Sequence, residues 1–400
     1  MFNKHSEWSH VTETRSNRSG LTPLSTRAKA TRGQTRLNNL RLALQLVYSD
    51  SPTSRADVAR ASHLTPATAS GLVDELLDLG LVKEIGTGPS AGGKPPTLIA
   101  PNPTGRSIIA LDLSSTDFQG ALVDLSGEIV AAESMPGAAG EQGLRAAADL
   151  VASLAAQGTA RLLGIGIGTP GVVDLANGLV TSSNLRWEEA PLAAAVAEVT
   201  EAPAHIINDA HAAALHEYSV HTPRVSSLAL VRVGRGIGSG YVLHGHLYRG
   251  DNAATGEIGH VRLDDSGKRC SCGNIGCLET VASISALLEM VDGDQDLSHE
   301  RVATIAADPA AAGAVEAVAV ALGRGLAPMV AILALGEIVL WGEVTSMGEA
   351  YRRIVEQEIQ NRVLPVKSAL IRVHYASAGE EAVIKGAAGL VLSTELGVVW

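Results

Sequence analysis

Gly256–Ser283 reads GEIGHVRLDDSGKRCSCGNIGCLETVAS, and it holds all three cysteines of a 400-residue chain, Cys270, Cys272 and Cys277, with His260 just upstream. Three thiolates and one imidazole complete a tetrahedral Zn²⁺ shell, and Gly273 and Gly276 suit a backbone that must turn tightly to bring thiols onto one ion. Three unrelated core cysteines would also be ordinary, since a free Cys packs as a small hydrophobe. They would not explain a cluster within eight residues, flanked by Lys268 and Arg269. A redox C-x-x-C pair fails on spacing, which here is C-x-C followed by C-x-x-x-x-C. The expectation is a structural zinc in the loop 257–279, ligated by His260, Cys270, Cys272 and Cys277. Glu257 and Glu279 flank the cysteines. Brought together by a metal-pinned loop they would accept hydrogen bonds from vicinal hydroxyls; taken singly, each is a solvated surface charge.

On both sides of that loop, strands alternate with helices. Ser107–Leu113 reads as a buried strand, Phe118–Leu125 with Glu128–Ala132 as a hairpin turning at Ser126 and Gly127, and Arg161–Gly168 as a strand ending in Gly-Thr-Pro-Gly. Leu228–Val233 feeds a glycine loop, Gly234–Gly240. Helices are expected at Gly143–Ala156, Pro191–Thr200, Ala210–Tyr218, Ile284–Met290, Ala310–Ala334, Met347–Ile359 and Glu380–Leu392. Further strands fall at His205–Asn208, Ile338–Trp341 and Leu370–His374. This alternation with two glycine-rich turns implies an α/β fold of two lobes facing a cleft.

The first hundred residues differ. Residues 1–31 are rich in Ser, Thr, Arg and Asn without apolar period and read as a flexible tail. From Gln34, Leu37, Leu40, Leu44 and Val47 recur at helical spacing. Ser54 then reads as an N-cap with Asp57 completing a capping box, and Thr65 caps a third helix opened by Pro66 and closed by Gly80. Leu81–Ile85 and Thr97–Ala100 read as two strands of a wing, which makes residues 32–100 a winged helix-turn-helix. DNA contacts would come from Thr65, Ala67, Thr68 and Ser70 at the start of the third helix, with Arg55 and Lys94 on phosphate or minor groove. A small helical module for protein contact is the alternative. Pro101–Gly105 reads as a linker to the remaining domain, 106–400.

Composition supports this division. Of 31 Lys/Arg and 42 Asp/Glu, 12 and 8 fall in residues 1–100, so a mildly basic head precedes an acidic body. Hydrophobic residues make up 46% and aromatics 3%, which suits helices packed closely on a glycine-punctuated sheet. The odd cysteine number excludes a disulfide framework and points to a reducing cytosol. No secretory h-region opens the chain, and the apolar run Gly325–Trp341 is broken by Pro328 and Glu337 and falls short of the ~20 residues of a span. A soluble cytoplasmic protein is expected, without membrane partners.

Five stretches carry a resemblance: GIGIGTPGVVD (164–174), SNLRW (183–187), INDAHAAALHE (207–217), VGRGIGSGYVLHGHLYRG (233–250) and GEIGHVRL with CSCGNIGCLE (256–279). The chain resembles the ROK family (repressors, open reading frames and sugar kinases), specifically its transcriptional regulators, from the first helix to the C-terminus. The resemblance implies an actin-like two-lobed fold with a structural zinc and a sugar pocket between the lobes. It implies His260, Cys270, Cys272 and Cys277 as zinc ligands and Asn184, Asn208, Asp209, Glu257, His260 and Glu279 as the hydroxyl-binding set. Carboxylates and amides suit a sugar ring because it offers donors and acceptors in alternation. For Asn208 and Asp209 the competing role is Asx capping at a strand end.

In the family's kinases the aspartate matching Asp209 is the general base. The phosphate-holding parts depart from that pattern. An Asp-x-Gly-Gly-Thr turn is replaced by Asp112-Leu113-Ser114-Ser115-Thr116; Arg235 stands where Thr is usual between Gly234 and Gly236; and the adenosine-side Gly-Gly becomes Trp341-Gly342-Glu343. Phosphoryl transfer depends on positioning and charge neutralisation, so no kinase activity is expected and no residue is assigned a catalytic role. The expectation is a sugar-responsive repressor, released from operator DNA by a monosaccharide or derivative, acting as a homodimer or homotetramer. The rival is an ATP-dependent sugar kinase with an appended DNA-binding head.

Overall fold

The computed structural model describes residues 32–89, 95–114, 116–221, 223–250, 254–265 and 267–398. The chain divides into two compact units, Met1–Asn208 with Ala387–Trp400, and Asp209–Gly386.

In the first unit, helix α1 (Arg32–Ser49) buries Leu40, Ala43, Leu44 and Val47 along one stripe. A short strand β1 (Thr53–Ser54) leads into α2 (Arg55–Ser62), where the capping box forms: the Ser54 hydroxyl accepts from the Asp57 N–H and the Asp57 carboxylate from the Ser54 N–H. Helix α3 (Pro66–Asp78) is capped by Thr65, buries Ala69, Leu72, Val73 and Leu76, and is followed by Gly80 at φ 71°. Strands β2 (Val82–Thr87) and β3 (Thr97–Pro101) pair antiparallel, and β1 joins β3. Two residues carry no period, so β1 had no signature in the sequence. The expected linker Pro101–Gly105 is instead the end of β3 and a 3-10 turn, Pro103–Gly105, whose Pro103 carbonyl accepts from the Leu125 N–H at 3.1 Å. Tyr48 donates its hydroxyl to the Leu125 carbonyl at 3.1 Å.

Beyond this lies a five-stranded sheet in the order β11-β7-β4-β5-β6: β4 (Ser107–Leu113), β5 (Asp117–Asp124), β6 (Ile129–Pro136), β7 (Leu162–Thr169) and β11 (Ala204–Asn208). β4, β7 and β11 run parallel, and β4, β5 and β6 form the antiparallel meander. Helix α4 (Gly140–Gln157) packs Leu150, Val151 and Leu154 with Ile109, Leu111, Phe118, Ile165 and Ile167 of the sheet. Three short strands, β8 (Val172–Asp174), β9 (Leu179–Ser182) and β10 (Trp187–Ala190), form a separate antiparallel sheet, followed by α5 (Leu192–Ala197). The sequence reading missed these strands because three or four residues are too few to show alternation.

The second unit opens with α6 (Asp209–Val220) and builds the sheet β14-β13-β12-β15-β16 from β12 (Leu228–Val233), β13 (Ile237–Leu243), β14 (His246–Tyr248), β15 (Glu337–Trp341) and β16 (Arg372–Tyr375). The expected glycine loop Gly234–Gly240 is loop only as far as Gly236. From Ile237 it is a strand, glycine-rich because α6 lies against it: a Cβ at Gly240 would stand 2.6 Å from the Ala210 carbonyl oxygen. The buried Glu217 carboxylate fixes α6 further by accepting the N–H groups of Ser377 and Ala378. Helices α7 (Glu279–Ala282), α8 (Ile284–Val291), α9 (His299–Ala307), α10 (Ala312–Leu333), α11 (Gly348–Gln360) and α12 (Pro365–Ser368) surround a core that includes Val318, Leu322, Leu326, Tyr351 and Val355, and α13 (Ala382–Glu395) closes the chain. The span Pro309–Leu333 is long and apolar enough by composition to cross a bilayer, a feature the sequence reading did not assign, but half of that window is buried within the protein.

Candidate functional site

The cysteine loop hangs on two anchors. Gly256, at φ 97°, leads through Glu257 into a 3-10 turn, Ile258–His260, whose Ile258 is buried. At the other end the fully buried Leu278 presses on Gly325, where a Cβ would lie 2.6 Å away, and fixes Glu279 as the first residue of α7. Between them Gly276 sits at φ 73° so close to the Asp264 carbonyl that a Cβ would stand 1.7 Å from its oxygen. Any other residue there would open the loop.

This backbone brings one donor atom each from His260, Cys270, Cys272 and Cys277 within 4.8 Å of one another. Cys270 Sγ lies 3.5 Å from His260 Nδ1, and Cys272 Sγ lies 3.7 Å from Cys277 Sγ. With zinc bond lengths of about 2.3 Å to sulfur and about 2.0 Å to nitrogen, a regular tetrahedron has S···S edges of about 3.8 Å and S···N edges of about 3.5 Å. The two printed edges of the cluster fit that shell, so the expected ligands form a set that can hold a metal ion. Burial and the Glu279 carboxylate, 2.9 Å from its sulfur, push the Cys270 thiol up to about 12. A dication would reverse that preference, since thiolate is the ligating form.

The imidazole faces two ways. Nδ1 turns to the thiols, with Glu279 Oε1 at 3.6 Å, and Nε2 turns to Glu257 Oε2, also at 3.6 Å. Glu257 is pushed above the usual carboxylate range by burial and by the charges of Asp209 and Glu279, against the opposite pull of His260. Asp209, Glu257, His260 and Glu279 therefore form one electrostatic neighbourhood in the second unit. Asn184 and Asn208 belong to the first: Asn184 is exposed in the turn between β9 and β10, and Asn208 donates its amide to the Gly171 carbonyl at 3.1 Å.

Two partners of this centre had no signal in the sequence. Arg232, on β12, forms a short ion pair with the Asp209 carboxylate, and its guanidinium carbon lies 5.6 Å from the Trp341 ring centroid. Asp209 also accepts from the Ala210 N–H at 2.8 Å, at the first turn of α6, where a negative charge is favoured. His211, one residue on, meets the Thr255 carbonyl at 2.8 Å, and burial holds its pKa down.

In the head, Thr65, Ala67 and Thr68 are exposed and Ser70 is half-buried. The Thr65 hydroxyl is engaged as the helix cap, 2.8 Å from that of Thr68. Arg55 is tied to Asp74 at 2.8 Å and Glu84 at 3.0 Å. Lys94, like residues 1–31, lies outside the described residues.

A fold of this kind, with a thiol–imidazole cluster beside converging carboxylates, defines a class. The profile of the ROK family matches residues 108–394, and the chain belongs to that family. A protein named putative xylose repressor from Caldicellulosiruptor sp. (strain Rt8B.4) is 32% identical over 383 residues, covering 90% of this chain and 96% of its own. A solved ROK family transcriptional regulator, described as a homologue of the E. coli Mlc protein, superposes with a TM-score of 0.78 at 25% identity, over 90% of this chain and 96% of that one. A ROK hexokinase from Thermus thermophilus superposes with a TM-score of 0.62 at 28% identity, covering 73% of this chain and 99% of its own.

Proposed function

We propose that this protein is a sugar-responsive, DNA-binding transcriptional repressor whose three-helix head is a winged helix-turn-helix. The observation that carries the proposal is the difference in coverage. Regulator relatives match 90% of the chain, whereas the hexokinase is used up, at 99% of its length, after matching 73%. The remainder of this chain is what a regulator has and a kinase lacks.

His260, Cys270, Cys272 and Cys277 would hold Zn²⁺, which when bound would serve as a structural ion for the loop. With Nδ1 so engaged, His260 would keep its proton on Nε2 and offer it as a hydrogen-bond donor toward the effector. Asp209, Glu257 and Glu279, together in the second unit, accept sugar hydroxyls. The exposed start of α3, with Thr65, Ala67, Thr68 and Ser70, meets the operator, with Lys94 on phosphate. Arg55 would join it only by leaving Asp74 and Glu84. A homodimer or homotetramer in the cytoplasm presents two heads to a palindromic site. A monosaccharide releases DNA only if it binds the free and DNA-bound conformations with different affinity.

The test is fluorescence anisotropy on DNA fragments that the full-length protein selects from genomic DNA, titrated with monosaccharides and their phosphates. Sugar-dependent release supports the proposal; selected DNA that no sugar displaces overturns it. The hexokinase likeness favours a second reading, an ATP-dependent sugar kinase, which ATP turnover in the presence of a hexose would establish.

A further inference from the structure

Three features of the second unit prepare a place for Arg232. It stands on β12 with Gly238 of β13 opposite it on one side and Trp341 of β15 on the other. Gly238 carries no side chain, so the first turn of α6 can lie close over β13: a Cβ at Gly238 would stand 3.8 Å from that of Ala210. Asp209, the residue before Ala210, thereby comes within reach of the guanidinium, and Arg232 Nη1 donates to Asp209 Oδ2. On the β15 side the guanidinium carbon lies over the Trp341 ring, 5.6 Å from its centroid. The stem of the side chain is packed as well, with Cγ 3.6 Å from where a Cβ of Gly342 would stand.

An exposed ion pair leaves two long side chains free to wander and contributes little. Here the Asp209 side chain is only 11% exposed, and both its oxygens are directed, Oδ1 by the Ala210 N–H at 2.8 Å and Oδ2 by Arg232. A carboxylate has about four lone-pair sites, so one held by these two bonds still accepts hydroxyls, and it does so from a fixed orientation. Arginine suits the task because its planar fork can lie over an indole while its N–H groups donate in plane. Its charge matters too. Burial, with the charges of Asp209 and Glu279, pushes Glu257 above the usual carboxylate range, and a cation on Asp209 offsets part of the negative charge gathered there.

We propose that Arg232 is a positioning residue for the effector: braced by Trp341, it fixes the direction in which Asp209 accepts a sugar hydroxyl. The proposal rests on the repressor reading, in which Asp209 belongs to the sugar-binding set. The competing role is a purely structural pin between α6 and β12, which would affect stability and leave sugar affinity alone.

The experiment measures affinity and stability separately on the full-length protein. D-xylose, D-glucose and N-acetyl-D-glucosamine are titrated by calorimetry, and the one that the wild type binds most tightly is the probe for every variant; urea denaturation without sugar reports stability. Arg232→Met is expected to bind the probe at least about tenfold more weakly, equivalent to about 1.4 kcal/mol. Arg232→Lys keeps the charge without the planar fork and should recover part of that loss. Trp341→Leu keeps the guanidinium without its brace and should bind about threefold more weakly. Adding Arg232→Met to Asp209→Asn should change affinity by less than about twofold, because the group through which Arg232 acts is already altered. Wild-type affinity in Arg232→Met, with only the urea midpoint lowered, shows a structural pin and overturns the proposal. So does a full tenfold loss when Arg232→Met is added to Asp209→Asn. If far-UV circular dichroism shows Arg232→Met unfolded, Arg232→Lys and Trp341→Leu carry the comparison, and wild-type affinity in both overturns the proposal. A wild type that binds none of the three sugars, and whose DNA no sugar displaces, overturns the repressor reading and this proposal with it; sugar binding that the variants leave unchanged overturns this proposal alone.

Discussion

Replacing Cys272 by Ser tests the metal centre with little disturbance to packing, because Cys272 is exposed while Cys270 and Cys277 are buried. Its sulfur lies 3.7 Å from that of Cys277, an edge of the proposed tetrahedron. Structural zinc sites bind with roughly 10–16 kcal/mol in all, or about 2.5–4 kcal/mol for each of four ligands. Losing one thiolate should therefore weaken zinc binding by about 100- to 1,000-fold. Metal per chain would be measured by mass spectrometry on protein purified with added zinc, and affinity by competition with a chromophoric chelator. Substitution of Co²⁺ reports the geometry, since a tetrahedral thiolate site has an absorption spectrum unlike that of an octahedral one. The expected results are one equivalent of zinc and a tetrahedral cobalt spectrum for the wild type, and chelator stripping of Cys272→Ser at far lower competitor concentration. A wild type that retains no zinc, an octahedral cobalt spectrum, or equal affinity in the two proteins would refute the geometric argument. Glu279 Oε1 lies 2.9 Å from Cys270 Sγ and is the group placed to replace a lost thiolate, so Cys272→Ser in a Glu279→Gln background should lose still more.

Arg232→Met strips the partner from Asp209, whose side chain is 11% exposed while that of Arg232 is 39% exposed. Breaking a fully buried pair costs about 3–5 kcal/mol, but water screens the exposed guanidinium, so a loss of about 1–2 kcal/mol in urea denaturation is expected; an unchanged midpoint would count against the pair. His211 and His216 are both held below the ordinary histidine pKa by burial, so the unfolded chain binds more protons than the folded one once pH drops below about 6.5. Stability should be complete above that pH and decline on acidification toward pH 5, with a shallower decline in His211→Gln, and parallel profiles for the two proteins would refute the assignment. Tyr351 is fully buried with a hydroxyl that has no hydrogen-bond partner among the described residues, so Tyr351→Phe should be neutral or stabilising by about 1 kcal/mol in thermal unfolding, and a marked loss would mean the hydroxyl is satisfied.

Where sequence carried the fold, it did so through signals that are local. Ser54 and Asp57 form their capping box, Pro66 opens its helix behind Thr65, and Ser107–Leu113 is a strand over the residues its apolar run marks out. Each is decided within a few positions of the chain by side-chain chemistry that acts at short range. Glycine misled where its cause was tertiary. Ile237-Gly238-Ser239-Gly240 spells a loop by composition, yet these residues are a strand, and at Gly240 α6 needs the space a side chain would fill. Pro103 reads as linker by composition, and no local pattern announces that its carbonyl accepts from the Leu125 N–H, twenty-two residues on.

The candidate site divides along the same line. Cysteine spacing exposes the cluster because all three thiols and the imidazole lie within eighteen residues, close enough for one loop to gather them. Arg232 and Trp341 stand far from Asp209 in sequence, and only the parallel pairing of β12 with β15, which sets Arg232 opposite Trp341, puts the guanidinium between a carboxylate and an indole.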